Sequence, residues 1–150
     1  MKKTLAIYLD FDGVLHPTTC GREALFGQLP LLERLLVTCP TRVVVSSSWR
    51  HHESFADLRA RFSDDVRHLV IGTTGPVIVG KWPRYSEIEH DAPLRGWSDQ
   101  WVALDDAFLE FPPSCAQLIR CNPNTGLDEA VMGTLRRRLM GSGHAAGLED

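Results

Sequence analysis

The sequence predicts an α/β fold, a three-layer sandwich whose central sheet is mostly parallel. Two observations carry that expectation. Candidate strands and helices alternate along the chain, which calls for crossover connections and therefore parallel neighbours. The candidate strands are also unbroken apolar runs, the pattern of strands covered by helices on both faces. At 150 residues the chain suffices for one domain with its own core and not for two ordinary ones, so residues 1–150 are read as a single domain.

The elements follow in order. "TLAIYL" (Thr4–Leu9) is a continuous apolar run and reads as a buried strand. "LPLLERLLVT" (Leu29–Thr38) has helical spacing, with Pro30 acceptable in a first turn and Pro40 beyond the end. "RVVVS" (Arg42–Ser46) is a β-branched strand. "SFADLRARF" (Ser54–Phe62) places apolar residues at 55, 58 and 62, one helical face. A short strand is expected near His68–Ile71, then an irregular Gly- and Pro-rich region and a helix around Tyr85–Asp91. "QWVALDD" (100–106) and "AQLIRC" (116–121) are two further strands. Leu127–Leu139 reads as the closing helix, with Asp128 and Glu129 in its first turn and Arg136, Arg137 and Arg138 in its last, an order that suits the helix dipole.

Composition narrows the function classes. A net charge of −3 argues against a general nucleic-acid coat protein while leaving room for a local basic patch. Cys20, Cys39, Cys115 and Cys121 show no paired close spacing of the kind zinc requires, so reduced thiols are expected. Met1-Lys2-Lys3 resembles the start of a signal peptide, but the apolar stretch behind it stops at Asp10. No window approaches the ~18 apolar residues of a membrane span. The expectation is a cytoplasmic chain without membrane contact.

In parallel sheets with helices on both faces, ligands bind outside the carboxyl ends of the strands. Three candidate strands end there on polar residues: Asp10 and Asp12, the serines Ser46 to Ser48, and Asp105 and Asp106. If those ends are neighbours, four carboxylates converge, and like charges at close range raise one another's pKa. A divalent cation relieves the repulsion. Oxygen ligands with no nearby His or Cys favour Mg²⁺, which takes one or two carboxylates, several waters and a substrate phosphate. Metal with phosphate suggests phosphoryl chemistry, with one aspartate as nucleophile and a second as proton donor and acceptor.

"DFDGVL" (10–15) resembles the first motif of the haloacid dehalogenase-like (HAD) superfamily of phosphohydrolases. "VVVSS" is similar to its second motif and "VALDD" to its fourth, in matching order over residues 4 to 106. The run "LDFDGVLHP … VVVSSSWR … WVALDD" resembles the small HAD domains associated with RNA-repair "Swiss army knife" proteins. The resemblance implies a Rossmann-like sandwich and an Mg²⁺-dependent phosphatase that works through an aspartyl-phosphate. It further implies Asp10 as nucleophile and metal ligand, and Asp12 as general acid/base within the metal-site acids. Asp105 and Asp106 would complete the metal site, and Ser46 or Ser47 would bind phosphate, with Ser46 preferred as the first polar residue after the valines. The third motif needs a Lys or Arg before the fourth-motif strand; Lys81 and Arg84 both qualify by position, and Arg95 is more distant.

The same residues admit competing readings. "DFDG" alone could be a helix-capping turn. It is no EF-hand, since the required glycine would fall at Leu15. "GPVIVGK" (75–81) fits GxxxxGK, but Trp82 stands where a P-loop needs Ser or Thr for Mg²⁺. "SSSWR" lacks the GxSxG elbow of a serine hydrolase. His51 and His52 are expected at a helix start in solvent, and the arginines 136–138 at a solvated helix end. Trp49 and Arg50 follow the serines directly and fit either a site role or a packing role.

About 15 residues separate "DFDGVL" from the helix near Leu29, and Gly72–Arg84 is short, so neither insertion holds a cap domain of usual size. An open site is expected, which by family analogy suits bulky or polymeric phosphates, including nucleic-acid ends. The partner is thus a phosphorylated substrate. A phosphotransferase using the same nucleophile, or a non-catalytic phosphate- or partner-binding module on the same fold, are the alternatives.

Overall fold

The computed structural model describes residues 5–148, and side chains as far as residue 141. Five parallel strands form one sheet: β1 (Ala6–Leu9), β2 (Val43–Val45), β3 (Val70–Thr73), β4 (Trp101–Asp105) and β5 (Leu118–Arg120), in the order β3-β2-β1-β4-β5. The helices are α1 (Leu29–Thr38), α2 (Phe55–Ala60), α3 (Pro83–Leu94) and α4 (Glu129–Leu148). Thr4, expected in the first strand, lies outside the described residues.

Side-chain alternation sorts the strands into two cores. Ile7, Leu9, Val43, Val45, Val102 and Leu104 face one side, where they pack with Leu32, Leu35 and Leu36 of α1, Leu58 of α2 and Leu135 of α4. Ala6, Tyr8, Val44, Trp101 and Ala103 face the other, against Ile88 and Ala92 of α3 together with Trp97 and Phe111. Both faces of every central strand are therefore buried, which is why the strand sequences are unbroken apolar runs. Among the described residues no folded unit of cap size stands between β1 and α1 or between β3 and α3.

Several boundaries differ from the sequence reading; the strand expected near His68–Ile71 runs from Val70 to Thr73, after a 3-10 turn over Arg67–Leu69. The closing helix begins at Glu129 and runs to Leu148, so Arg136, Arg137 and Arg138 lie in its middle rather than its last turn. Asp128 stands before it as a cap, its Oδ1 accepting from the Val131 N–H at 2.9 Å. His51 and His52 are exposed but belong to the end of a 3-10 turn, Ser48–His51, not to the α-helix, which starts after its own cap at Ser54. The third helix is longer than its apolar pattern suggests, because its buried face carries Arg84, Glu87 and Asp91 beside Ile88 and Ala92.

Candidate active site

The register of the sheet aligns the strand ends. Leu9 pairs with Val45 on one side and with Leu104 on the other, so the next residues, Ser46, Asp10 and Asp105, stand in one row. Backbone bonds continue that row past the strands: Thr74 N–H donates to Val45 O, Ser46 N–H to Leu9 O, Asp10 N–H to Leu104 O and Cys121 N–H to Asp105 O, all at 2.9–3.1 Å. Two-residue alternation gives Asp10 the parity of Tyr8, Ser46 that of Val44 and Asp105 that of Ala103, which is the α3 face of the sheet. Arg84, in the first turn of α3, meets them there.

Carboxylate oxygens of Asp10, Asp105 and Asp106 lie within 4.8 Å of one another. Arg84 Nη1 donates to Asp105 Oδ2 at 2.6 Å and stands 3.5 Å from Asp10 Oδ1. The remaining bonds hold the acids in place: Phe11 N–H to Asp10 Oδ1 at 2.8 Å, Ala107 N–H to Asp105 Oδ1 at 2.9 Å and the Thr18 hydroxyl to Asp106 Oδ2 at 3.2 Å. Gly13 makes room for Asp106: its φ is +79°, and a Cβ there would overlap the Asp106 carboxylate.

The electrostatics are unbalanced. Burial first, and the charge of Asp105 next, hold the Asp10 carboxyl well above the usual carboxylate range. Asp105 is also raised, by burial, although Arg84 pulls the other way. Burial alone would lower Arg84, but the charges of Asp105 and Asp10 outweigh it and hold the guanidinium above its ordinary value. Three carboxyl groups face one guanidinium, so the acids outnumber the positive charge beside them. Such an all-oxygen set fits a hard divalent cation better than it fits no ion.

Ser46 Oγ is fully buried and has no partner among the described residues, whereas Ser47 Oγ accepts from the Trp49 N–H and caps the 3-10 turn. The triple serine thus divides into one hydroxyl spent on local structure and one still able to donate. Thr74, one strand further out, carries a second buried and unpartnered hydroxyl. Nothing in the sequence singles it out, because the β3 end carries no motif. Of the two basic candidates, Arg84 reaches the acids, while Lys81 is exposed with its ammonium 5.1 Å from the Trp82 ring centroid. Arg95 lies elsewhere, paired with Asp91 at 2.7 Å, where Tyr8 also donates to Asp91.

Arg50 and Glu87 form a buried brace beside the acids. Arg50 Nη2 donates to Glu87 Oε1 at 2.9 Å, while its other nitrogens donate to the carbonyls of Ser46, Ser47 and Gly75. One side chain so ties the ends of β2 and β3 to α3, and Glu87 also lies 3.8 Å from Arg84 Nε. Asp12 is outside the acid cluster. Its half-exposed carboxylate accepts from Trp49 Nε1–H at 3.0 Å and from His16 Nε2 at 2.8 Å. His16 lies inside the run "LDFDGVLHP", but the sequence reading gives it no role.

A family model described as the HAD domain in Swiss Army Knife RNA repair proteins matches residues 6–132. No curated protein and no solved structure matches.

Proposed function

The chain belongs to the family of HAD domains in Swiss Army Knife RNA repair proteins, and from that premise we propose that it is an Mg²⁺-dependent phosphohydrolase acting through Asp10. The family points to phosphohydrolase chemistry. The single observation that carries the reading is the meeting of Asp10, Asp105, Asp106 and Arg84 beside the unpartnered Ser46 hydroxyl at the carboxyl edge of the sheet. Asp10, Asp105 and Asp106 would hold the ion, which when bound supplies charge neutralisation for a phosphate and for the clustered acids.

The chain's own groups then have distinct tasks. Ser46 and Arg84 receive the phosphoryl oxygens, Ser46 as a neutral donor and Arg84 as a planar charged one. A carboxylate oxygen of Asp10 forms a bond to phosphorus while the bond from phosphorus to the leaving oxygen breaks. The departing electron pair stays on that oxygen, which takes the proton of the Asp12 carboxyl. In the second half, water attacks the phosphorus of the aspartyl-phosphate and gives its proton to Asp12. The bond between Asp10 and phosphorus breaks, its electron pair returns to Asp10, and inorganic phosphate leaves. Asp12 is assigned to proton transfer rather than to the ion, because its carboxylate is engaged by His16 and Trp49 instead of by the acid cluster.

The substrate class we favour is a phosphorylated nucleic-acid end. The short connections around the site and the family's description support that choice. The test is phosphate release with and without Mg²⁺ by the wild type and by Asp10→Asn. An aryl phosphate, nucleotides and 3′- and 5′-phosphorylated oligonucleotides would be compared. Mg²⁺-dependent release that the substitution abolishes is expected. Release to added alcohols in place of water would make it a phosphotransferase. Mg²⁺ binding by folded protein with no turnover of any substrate would favour the binding module.

A further inference from the structure

Oδ1 of Asp12 is gripped by two donors. We infer that His16 and Trp49 are positioning residues for proton transfer, clamping Oδ1 of Asp12 so that the proton passed to the leaving oxygen travels on Oδ2. This rests on the phosphohydrolase reading above and deepens it.

The hydrogen-bond network assigns the His16 tautomer. The Phe26 backbone N–H, which can only donate, points at His16 Nδ1 at 3.1 Å. Nδ1 is therefore the bare nitrogen, Nε2 carries the hydrogen, and Nε2–H donates to Asp12 Oδ1 at 2.8 Å. Trp49 Nε1–H is a donor in every state and reaches the same oxygen at 3.0 Å. Among the described residues nothing bonds Oδ2 of Asp12. Without the clamp a carboxyl can rotate and present either oxygen; two donors on one oxygen remove that freedom and aim the other.

The clamp is itself built in. His16 is 1% exposed and lies edge-on to Phe26, with ring centroids 5.1 Å apart and an interplanar angle of 82°. Phe26 and Trp49 pack at 5.3 Å, and the Arg61 guanidinium covers both from outside, at 4.7 and 5.0 Å, paired with Glu53. Phe26 has a φ of 60°, a left-handed backbone that a large aromatic residue rarely adopts. That conformation is the one that delivers its N–H to His16. A ring needed only for packing would require neither the strained donor nor the convergence of two N–H groups on one carboxylate oxygen.

The experiment compares an alkyl phosphate, whose leaving oxygen needs a proton, with 4-nitrophenyl phosphate, whose leaving oxygen hardly does. Trp49→Phe keeps the ring and removes the donor. A side chain of Gln reaches as far as Nε2 and can replace its N–H, while one of Asn reaches only as far as Nδ1. We expect Trp49→Phe and His16→Asn each to lower kcat on the alkyl ester by about tenfold or more, and on the aryl ester by about threefold or less, with KM little changed. His16→Gln should recover alkyl-ester turnover to within about threefold of wild type. Equal losses on the two esters, or no advantage of Gln over Asn in folded variants, overturn the inference while leaving a wild type that Asp10→Asn silences. A folded wild type inactive with Mg²⁺ on both esters and on the nucleotides and phosphorylated oligonucleotides overturns the parent reading and this one with it. Independently of activity, ¹⁵N chemical shifts of the wild-type imidazole should mark His16 as Nε2-protonated; protonation at Nδ1 overturns the inference.

Discussion

Replacing Arg84 by methionine removes the guanidinium that, among the described residues, pairs with the clustered acids. Its Nη1 lies 2.6 Å from Asp105 Oδ2 and 3.5 Å from Asp10 Oδ1, and the Asp105 side chain is wholly buried. Removing one partner of a buried ion pair costs about 3–5 kcal/mol, because the remaining charge stays desolvated and unpaired. Methionine fills much of the same space, so most of the loss is electrostatic. At roughly 2–4 °C per kcal/mol for a domain of this size, the Tm should fall by about 6–20 °C in metal-free buffer at alkaline pH.

The sign of the pH dependence follows from the acids. Asp10 and Asp105 already sit above the ordinary carboxyl range, and losing the guanidinium pushes both further up. A carboxyl raised in the folded state contributes stability that is fully present below its unfolded pKa and lost as the pH rises through the folded one. The deficit of Arg84→Met should therefore be largest above the raised values and shrink towards the ordinary carboxyl range. A divalent cation, replacing the missing charge, should also shrink it. Calorimetric melting of both proteins at acidic and alkaline pH, with chelator or with Mg²⁺, measures each part. An equal Tm deficit under all four conditions would mean lost packing rather than lost charge and would refute the reasoning. Lys81→Ala is the control, expected within about 0.5 kcal/mol of wild type because Lys81 is exposed.

Other substitutions test the neighbouring parts. Ser46→Ala should change stability by under about 1 kcal/mol, since its hydroxyl has no partner, yet raise KM for a phosphate ester by about tenfold; Ser47→Ala should instead cost about 1 kcal/mol as a lost cap, read by denaturant melts. Gly13→Ala should destabilise by about 1–2 kcal/mol for its left-handed φ, with more from displacing Asp106, and calorimetric titration should find Mg²⁺ bound more weakly. Glu87→Gln leaves the buried Arg50 without a counter-charge and should cost about 1–3 kcal/mol, measured by thermal unfolding.

The strands and the acids at their ends can be read from the amino-acid pattern alone. A strand buried on both faces must be apolar throughout, so the change from "AIYL", "VVV" and "WVAL" to Asp10, Ser46 and Asp105 marks the carboxyl ends of the strands. Three such polar strand ends mark a site in the sequence on the condition that the strands are neighbours, which the order β2-β1-β4 meets. The third helix was legible only in part, because periodicity looks for apolar residues. Its inward face pairs Arg84 with Asp105, Glu87 with Arg50 and Asp91 with Tyr8 and Arg95, so it reads as a solvent face.

Which charges meet depends on how the elements pack. Lys81 and Arg84 are three residues apart and equivalent by position, but Arg84 lies on the buried face of α3 and Lys81 precedes the helix in solvent. Likewise "SSS" cannot disclose which hydroxyl is consumed by a cap, and "DGVLH" cannot disclose that His16 turns back onto Asp12. Burial of a strand is a property of its own residues, repeated along it and so written in the sequence. A hydrogen bond or ion pair between distant segments needs two partners and a distance, and the packing of α3 and the Phe26 loop on the sheet supplies that distance.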